Sequence, residues 1–129
     1  MNNPRQAHSR LAAFRHAFSG LWHVLRSQRN AWIHAIATIA ALAMSLWLHL
    51  DRLEWAVVMI VIGLVWMAEF LNTALEAVVD LASPDLHPLA KVGKDVGAAA
   101  VLIAAVTAAT TGIILFGPPL WVKFSAFLP

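Results

Sequence analysis

Five polar side chains able to do chemistry interrupt an otherwise apolar stretch. Glu69, Asn72, Thr73, Glu76 and Asp80 lie at the end of the run Trp55–Asp80, WAVVMIVIGLVWMAEFLNTALEAVVD. At about 100° per residue they share a helical sector of roughly 100°. A carboxylate stripe on an apolar helix is expensive in lipid and marks a functional site. Burial favours the neutral form of a carboxyl group, so Glu69 is suited to accept a proton. Glu76 is placed to hold a divalent cation, because hard cations prefer carboxylate oxygens. Asp85, His87, Lys94 and Asp95 follow closely in the chain. Lys94 offers a point charge for phosphate, and the helix start around it adds free backbone N–H groups. Carboxylates, a cation and a lysine together suit phosphoryl transfer, where a protein mainly positions and neutralises charge. Only a lipid head presents a hydroxyl at that depth. The same residues also suit plainer roles. Glu69 and Asn72 fit interhelical polar contacts; Asp80 and Asp85 fit solvated loop charges, and Lys91 and Lys94 fit orientation signals. No glycine-rich phosphate loop of the Walker or protein-kinase type is present.

The elements that must position these groups are helices in a membrane. Of 129 residues 60% are hydrophobic and 12% charged, more apolar than one small soluble core can hide. The absence of cysteine excludes disulfides, thiolate metal sites and a thiol nucleophile. No cleavable signal peptide is evident, because nearly thirty polar and basic residues precede the first apolar run. The expected fold is all-α, one membrane domain of three transmembrane helices plus an N-terminal surface helix. Residues 5–29 form the surface helix, with Leu11, Phe14, Phe18, Leu21, Trp22 and Leu25 on one face and Arg10, Arg15 and Arg26 flanking it. Ala31–Leu50 is the first span, with no formal charge over its length. His34, near its start, either serves chemistry or hydrogen-bonds at the interface. The second span covers residues 54–80. Glu69 lies about 20 Å beyond Trp55 and the slab ends near residues 74–76, so the stripe runs from lipid depth out to water. A Ser-Pro, His-Pro turn leads to the third helix, residues 89–117, whose span is Val96–Phe116 and which Gly117-Pro118-Pro119 should stop. Ala100, Ala104, Ala108 and Gly112 recur every four residues, with Gly93 and Gly97 one step round, a pattern for close helix packing.

Five arginines precede the first span, and Lys91 and Lys94 join the second to the third. Seven of the nine positive residues therefore share one side, which the positive-inside rule makes cytoplasmic. The N-terminus is expected inside, the C-terminus outside, and the polar stripe at the cytoplasmic interface. A proton-coupled transporter would carry carboxylates in the outer half of its spans as well, and none is there. A second reading is a non-catalytic protein that binds lipid or nucleotide.

The segment AEFLNTALEAVVDLASPDLHPLAKVGKDVGAAAVLIAA, Ala68–Ala105, resembles the signature of the small prokaryotic diacylglycerol kinase family, which includes undecaprenol kinases. The pattern E-x-x-N-[ST]-A-x-E-x-x-x-D, then H, then K-D, is long and specific. With the amphipathic start and the RNAWIH junction, the resemblance spans essentially the whole chain, and RN-x-x-I-H and HPLAK resemble the undecaprenol kinase branch more than the enterobacterial one. It implies a homotrimer that transfers phosphate from ATP, with Mg2+, to a membrane lipid; no nucleic acid is expected as a partner. By motif, Glu69 matches the proton acceptor and Glu76 a metal ligand. Asn72, Asp80, Asp85 with Leu86 and His87, and Lys94 with Asp95 match further lipid- and nucleotide-contacting positions. Ala98 matches a small residue on the lipid side, and Arg10 and Arg15 match N-terminal basic positions. His34 joins them as a candidate on the lipid side. Where the family usually has a second metal-binding Glu before the first span, this chain has Gln28. That residue offers a carbonyl to a cation but no charge.

Overall fold

The computed structural model describes residues 10–83 and 87–126, with side chains from residue 12 onward. All regular structure among them is α-helical, in the order α1 (Arg10–Ser27), α2 (Arg29–Trp47), α3 (Arg52–Ala82) and α4 (Pro88–Ser125). α2, α3 and α4 are each long and apolar enough to cross a membrane. The accessible surface is 10310 Å² for 14.0 kDa. A water-soluble chain of that mass exposes about 6,700 Å². The excess is apolar: Phe14, Phe18, Ile36, Ile39, Leu71, Ile103 and Ile114 all point outward. The chain is a membrane protein.

The helix boundaries have local causes. α1 and α2 are separated by one extended residue, Gln28, at φ −104° and ψ 117°. An N-cap position favours Ser, Thr, Asp or Asn. Gln28 makes no side-chain cap, and its amide is engaged elsewhere. Val24 and Ala31 are buried where the two helices meet. α2 ends at Trp47 in a Schellman motif, with Leu50 N–H donating to Ser45 O and His49 N–H to Leu46 O. His49 takes the left-handed position at φ 56°. A non-glycine residue there costs about 1–2 kcal/mol. The next residues recover some of this through a capping box, in which Asp51 accepts from the backbone of Leu53 and Glu54, and Glu54 accepts from Asp51 N–H.

α4 packs chiefly on α3. The closest approach is at Gly93 and Gly97. A Cβ on Gly93 would lie 3.5 Å from Val79, and one on Gly97 would overlap Asn72. Farther along, the small-residue row opens into two grooves. Ala100 and Ala104 line one of about 490 Å³ between α3 and α4. Ala108 and Gly112 line another of about 310 Å³ among α2, α3 and α4.

Two expectations are corrected. Gly117-Pro118-Pro119 does not stop the third membrane helix, which runs on to Ser125. Proline's fixed φ is helical, and the clash it imposes on the residue before it involves a Cβ that Gly117 lacks. The extension is anchored by Lys123, whose Nζ donates to Trp47 O at 2.9 Å and lies 4.6 Å from the Trp47 ring centre. α2 also runs Arg29–Trp47 where 31–50 was expected, because the Schellman turn closes it early.

Candidate active site

The polar stripe of α3 is organised in three levels. The deepest is Glu69, which is 1% exposed in an apolar surround. Its Oε2 faces His34 Nε2 of α2 at 3.6 Å, and neither atom has a hydrogen-bond partner. Thr73, one turn on, is buried and donates its hydroxyl to Glu69 O at 2.9 Å. The His34 ring meets Trp66 edge-on, with centroids 6.4 Å apart, and Trp66 Nε1 donates to Thr38 Oγ1 at 3.1 Å.

Two turns along α3, about 10 Å toward its C-terminal end, lies Glu76. Gln28 Nε2 donates to Glu76 Oε2 at 3.0 Å, and Asn72 Nδ2 donates to Oε1 at 3.1 Å. Each carboxylate oxygen is thus held by one amide. The Gln28 contact explains the bend between α1 and α2: the side chain that could cap α2 instead ties the bend to α3. Asn72 Oδ1 is buried without a partner against Gly97.

The outermost level is charged and wet. Lys94 Nζ of α4 pairs with Asp80 Oδ1 of α3 at 2.5 Å. Lys91 pairs with Asp95 at 2.6 Å on the exposed face of α4. Its hydrogen bond to Asp95, then that carboxylate's charge, raises the Lys91 ammonium above the ordinary lysine value. His87 is the N-cap of α4, with Nδ1 accepting from Leu89 N–H at 3.2 Å and Pro88 opening the helix. Exposed ion pairs such as these are worth only ~0–1 kcal/mol. Their lysines can therefore exchange partners cheaply.

Of the residues singled out in the sequence, the structure gathers Gln28, His34, Glu69, Asn72, Glu76, Asp80 and Lys94 along one side of α3, with Asp95 and His87 at the adjoining start of α4. Ala98 is exposed on α4, and Arg15 is exposed on α1, with no ion pair among the described residues. Arg10 opens α1, but its side chain, like Asp85 and Leu86, lies outside the described residues. Two contributors escaped the sequence reading as site residues, Trp66 and Thr38; Gly97 was read there for helix packing alone. The available signal for Trp66 was a polar-tipped aromatic three residues before Glu69, on the same helical face. The role of Thr38, and the contact of Gly97 with Asn72, are visible only through contacts between helices.

Among the described residues no three His, Asp or Glu side chains converge as a metal site. One carboxylate, Glu76, meets two amides, whose oxygens also suit a hard cation.

The sequence of the whole site matches a known family. The family model for prokaryotic diacylglycerol kinase matches residues 15–116. The chain belongs to the prokaryotic diacylglycerol kinase family. It is 40% identical over 108 residues to the undecaprenol kinase of Bacillus subtilis, covering 84% of this chain and 88% of that one. It is 42% identical over 111 residues to the diacylglycerol kinase of Synechocystis, covering 85% of this chain but 63% of that longer relative. The diacylglycerol kinase of Escherichia coli is 37% identical over 103 residues, or 74% of this chain and 81% of that one. Membership makes this membrane protein a lipid kinase.

Proposed function

We propose that the chain transfers the γ-phosphate of ATP, as its Mg2+ complex, to the hydroxyl of a membrane lipid, diacylglycerol or undecaprenol, at the cytoplasmic face of a bacterial inner membrane. The working unit is a homotrimer. The observation that carries this reading is the depth sequence along α3: a fully buried carboxyl at Glu69, an amide-held carboxylate at Glu76, then the exposed Asp80–Lys94 pair. Those levels match a lipid hydroxyl, a phosphate-bound cation and a nucleotide in turn.

Glu69 accepts the proton of the lipid hydroxyl as its oxygen attacks the γ-phosphorus. Low water access around it keeps the developing charges from being solvated and strengthens the electrostatics that guide them. His34, Asn72, Ala98 and Arg15 lie on the lipid side. Asp80, Asp85 with Leu86 and His87, Lys94, Asp95 and Arg10 meet the nucleotide, and Lys94 leaves Asp80 to neutralise phosphate. Glu76, with the side-chain oxygen of Gln28, would hold Mg2+. Bound there, the ion neutralises charge on the transferring phosphoryl group. A single carboxylate suits a cation that arrives with the nucleotide, because Mg2+ is commonly held by one or two carboxylates plus substrate phosphates.

The test is transfer of label from γ-labelled ATP to lipid by purified protein in mixed micelles, with each lipid in turn. Transfer to one or both is expected. No transfer to either lipid by well-folded protein with Mg2+ overturns the reading. The two amide bonds to Glu76 favour one other reading, a lipid- or nucleotide-binding protein without turnover, since they satisfy that carboxylate with no cation. Wild-type turnover excludes it, and a large gain in rate on Gln28→Glu supports it.

A further inference from the structure

Buried polar atoms are almost always paired. His34 Nε2 and Glu69 Oε2 are both buried and unpaired, yet they face each other across 3.6 Å, from α2 and α3 respectively. The imidazole is held in that pose. Its ring lies edge-on to Trp66, and Trp66 is fixed by its hydrogen bond to Thr38 one turn along α2 from His34. Glu69 is fixed in turn on a helix whose next turn is pinned by the buried Thr73 hydroxyl. Nothing else titratable faces the imidazole among the described residues. From α3 it meets Glu69 and Trp66; the groove wall from α4 is Ala105, Ala108, Ala109, Thr111, Gly112, Leu115 and Phe116; and no ion pair or hydrogen bond joins it to α1.

We propose that His34 is the second proton station of the site, a positioning residue that takes from Glu69 the proton Glu69 has taken from the acceptor hydroxyl. The chemistry rests on the lipid-kinase reading. The acceptor O–H bond breaks and its proton goes to Glu69 Oε2. The acceptor oxygen bonds to the γ-phosphorus, and the bond from that phosphorus to the bridging oxygen breaks, its electron pair leaving with ADP. The proton then passes from Glu69 Oε2 to His34 Nε2, which restores the carboxylate. The imidazolium then releases it from its other ring nitrogen to interfacial water; the His34 side chain is 12% exposed and the Glu69 side chain 2%. A buried carboxyl that has taken a proton needs a route for releasing it between turnovers. The partner also means that a charge left on one group is offset by the other, in surroundings where a lone buried charge is costly.

Three variants test this in lipid-containing micelles: His34→Gln, His34→Ala and Glu69→Gln. His34→Gln keeps the size and polarity of the side chain but cannot carry a proton. The expected result is a kcat lower by at least about tenfold, with KM for both substrates within about twofold, because proton-transfer groups typically contribute 10²–10⁴-fold. Added imidazole should restore part of the rate of His34→Ala. An unchanged kcat in His34→Gln overturns the proposal, as does a loss matched by KM without imidazole rescue. If the wild-type protein transfers no phosphate at all, the kinase reading fails. The pair is then still decided by the ¹⁵N resonances of the His34 ring: a change on Glu69→Gln supports a shared proton, and identical spectra over the pH range overturn it.

Discussion

Replacing Gln28 by glutamate converts an amide-carboxylate contact into two facing carboxylates. In the wild type, Gln28 Nε2 donates to Glu76 Oε2 at 3.0 Å. A glutamate of the same length puts an anionic oxygen about where that nitrogen stands. Two unit charges 3 Å apart repel by about 1.4 kcal/mol at the dielectric of water and by about 5.5 kcal/mol at an effective value of 20. The contact is part-buried, and the new side chain can swing away, so a destabilisation of about 2 kcal/mol is expected. A divalent cation reverses the sign, because two carboxylates make a stronger oxygen site than one carboxylate does. A cation present at 100 times its dissociation constant returns about 2.7 kcal/mol. The assay is unfolding in detergent, with and without millimolar Mg2+ and with ionic strength matched by a monovalent salt. Gln28→Glu should unfold more easily than wild type without Mg2+ and regain or exceed wild-type stability with it, whereas wild type should hardly respond to Mg2+ alone. A Gln28→Glu protein that unfolds like wild type and ignores Mg2+ would refute the placement of Gln28 against Glu76.

Gly97→Ala gains up to about 1 kcal/mol of helix propensity. Its Cβ overlaps Asn72 Oδ1 and comes within 3.1 Å of Leu75 Cδ2, so overpacking of about 1–3 kcal/mol and loss of the Asn72–Glu76 bond, about 1.5–3 kcal/mol, outweigh that gain. A lower unfolding midpoint and a raised KM for Mg-ATP check it. Glu69→Gln should lower kcat by about 10²-fold or more while leaving the fold intact, read by labelled-phosphate transfer; an intact rate would remove Glu69 from its assigned role. Lys123→Met should release the end of α4 from Trp47 and destabilise by about 1 kcal/mol in the same unfolding assay, with kcat unchanged, because the contact lies at the opposite end of α2 from Gln28.

What the sequence made legible depends on single helices. Glu69, Thr73 and Glu76 recur at helical spacing, and no partner is needed to see that they share a face and descend into lipid. The burial of Glu69 and Thr73 and the partial exposure of Glu76 follow from that spacing. What stayed hidden depends on how two helices meet. The one-residue bend at Gln28 sets the direction of α2, and that direction carries His34 to Glu69 and Gln28 to Glu76. No periodicity in either helix encodes the angle. The proline pair failed as a stop signal for the same reason: its local cost is visible in sequence, but the Lys123–Trp47 contact across 76 residues is not.

The bend also links the two levels of the site. Gln28 and His34 lie six residues apart on one rigid stretch of α2 and its N-cap, while Glu76 and Glu69 lie seven apart on α3. Six and seven helical residues rise about 9 and 10.5 Å, so the two pairs sit in register like rungs between two rails. A shift of α2 that opened the Gln28–Glu76 rung would change the His34–Glu69 rung as well. On the proposed reading, cation binding at Glu76 and proton handling at Glu69 are mechanically coupled through α2, and a substitution at either end should be felt in the chemistry of the other.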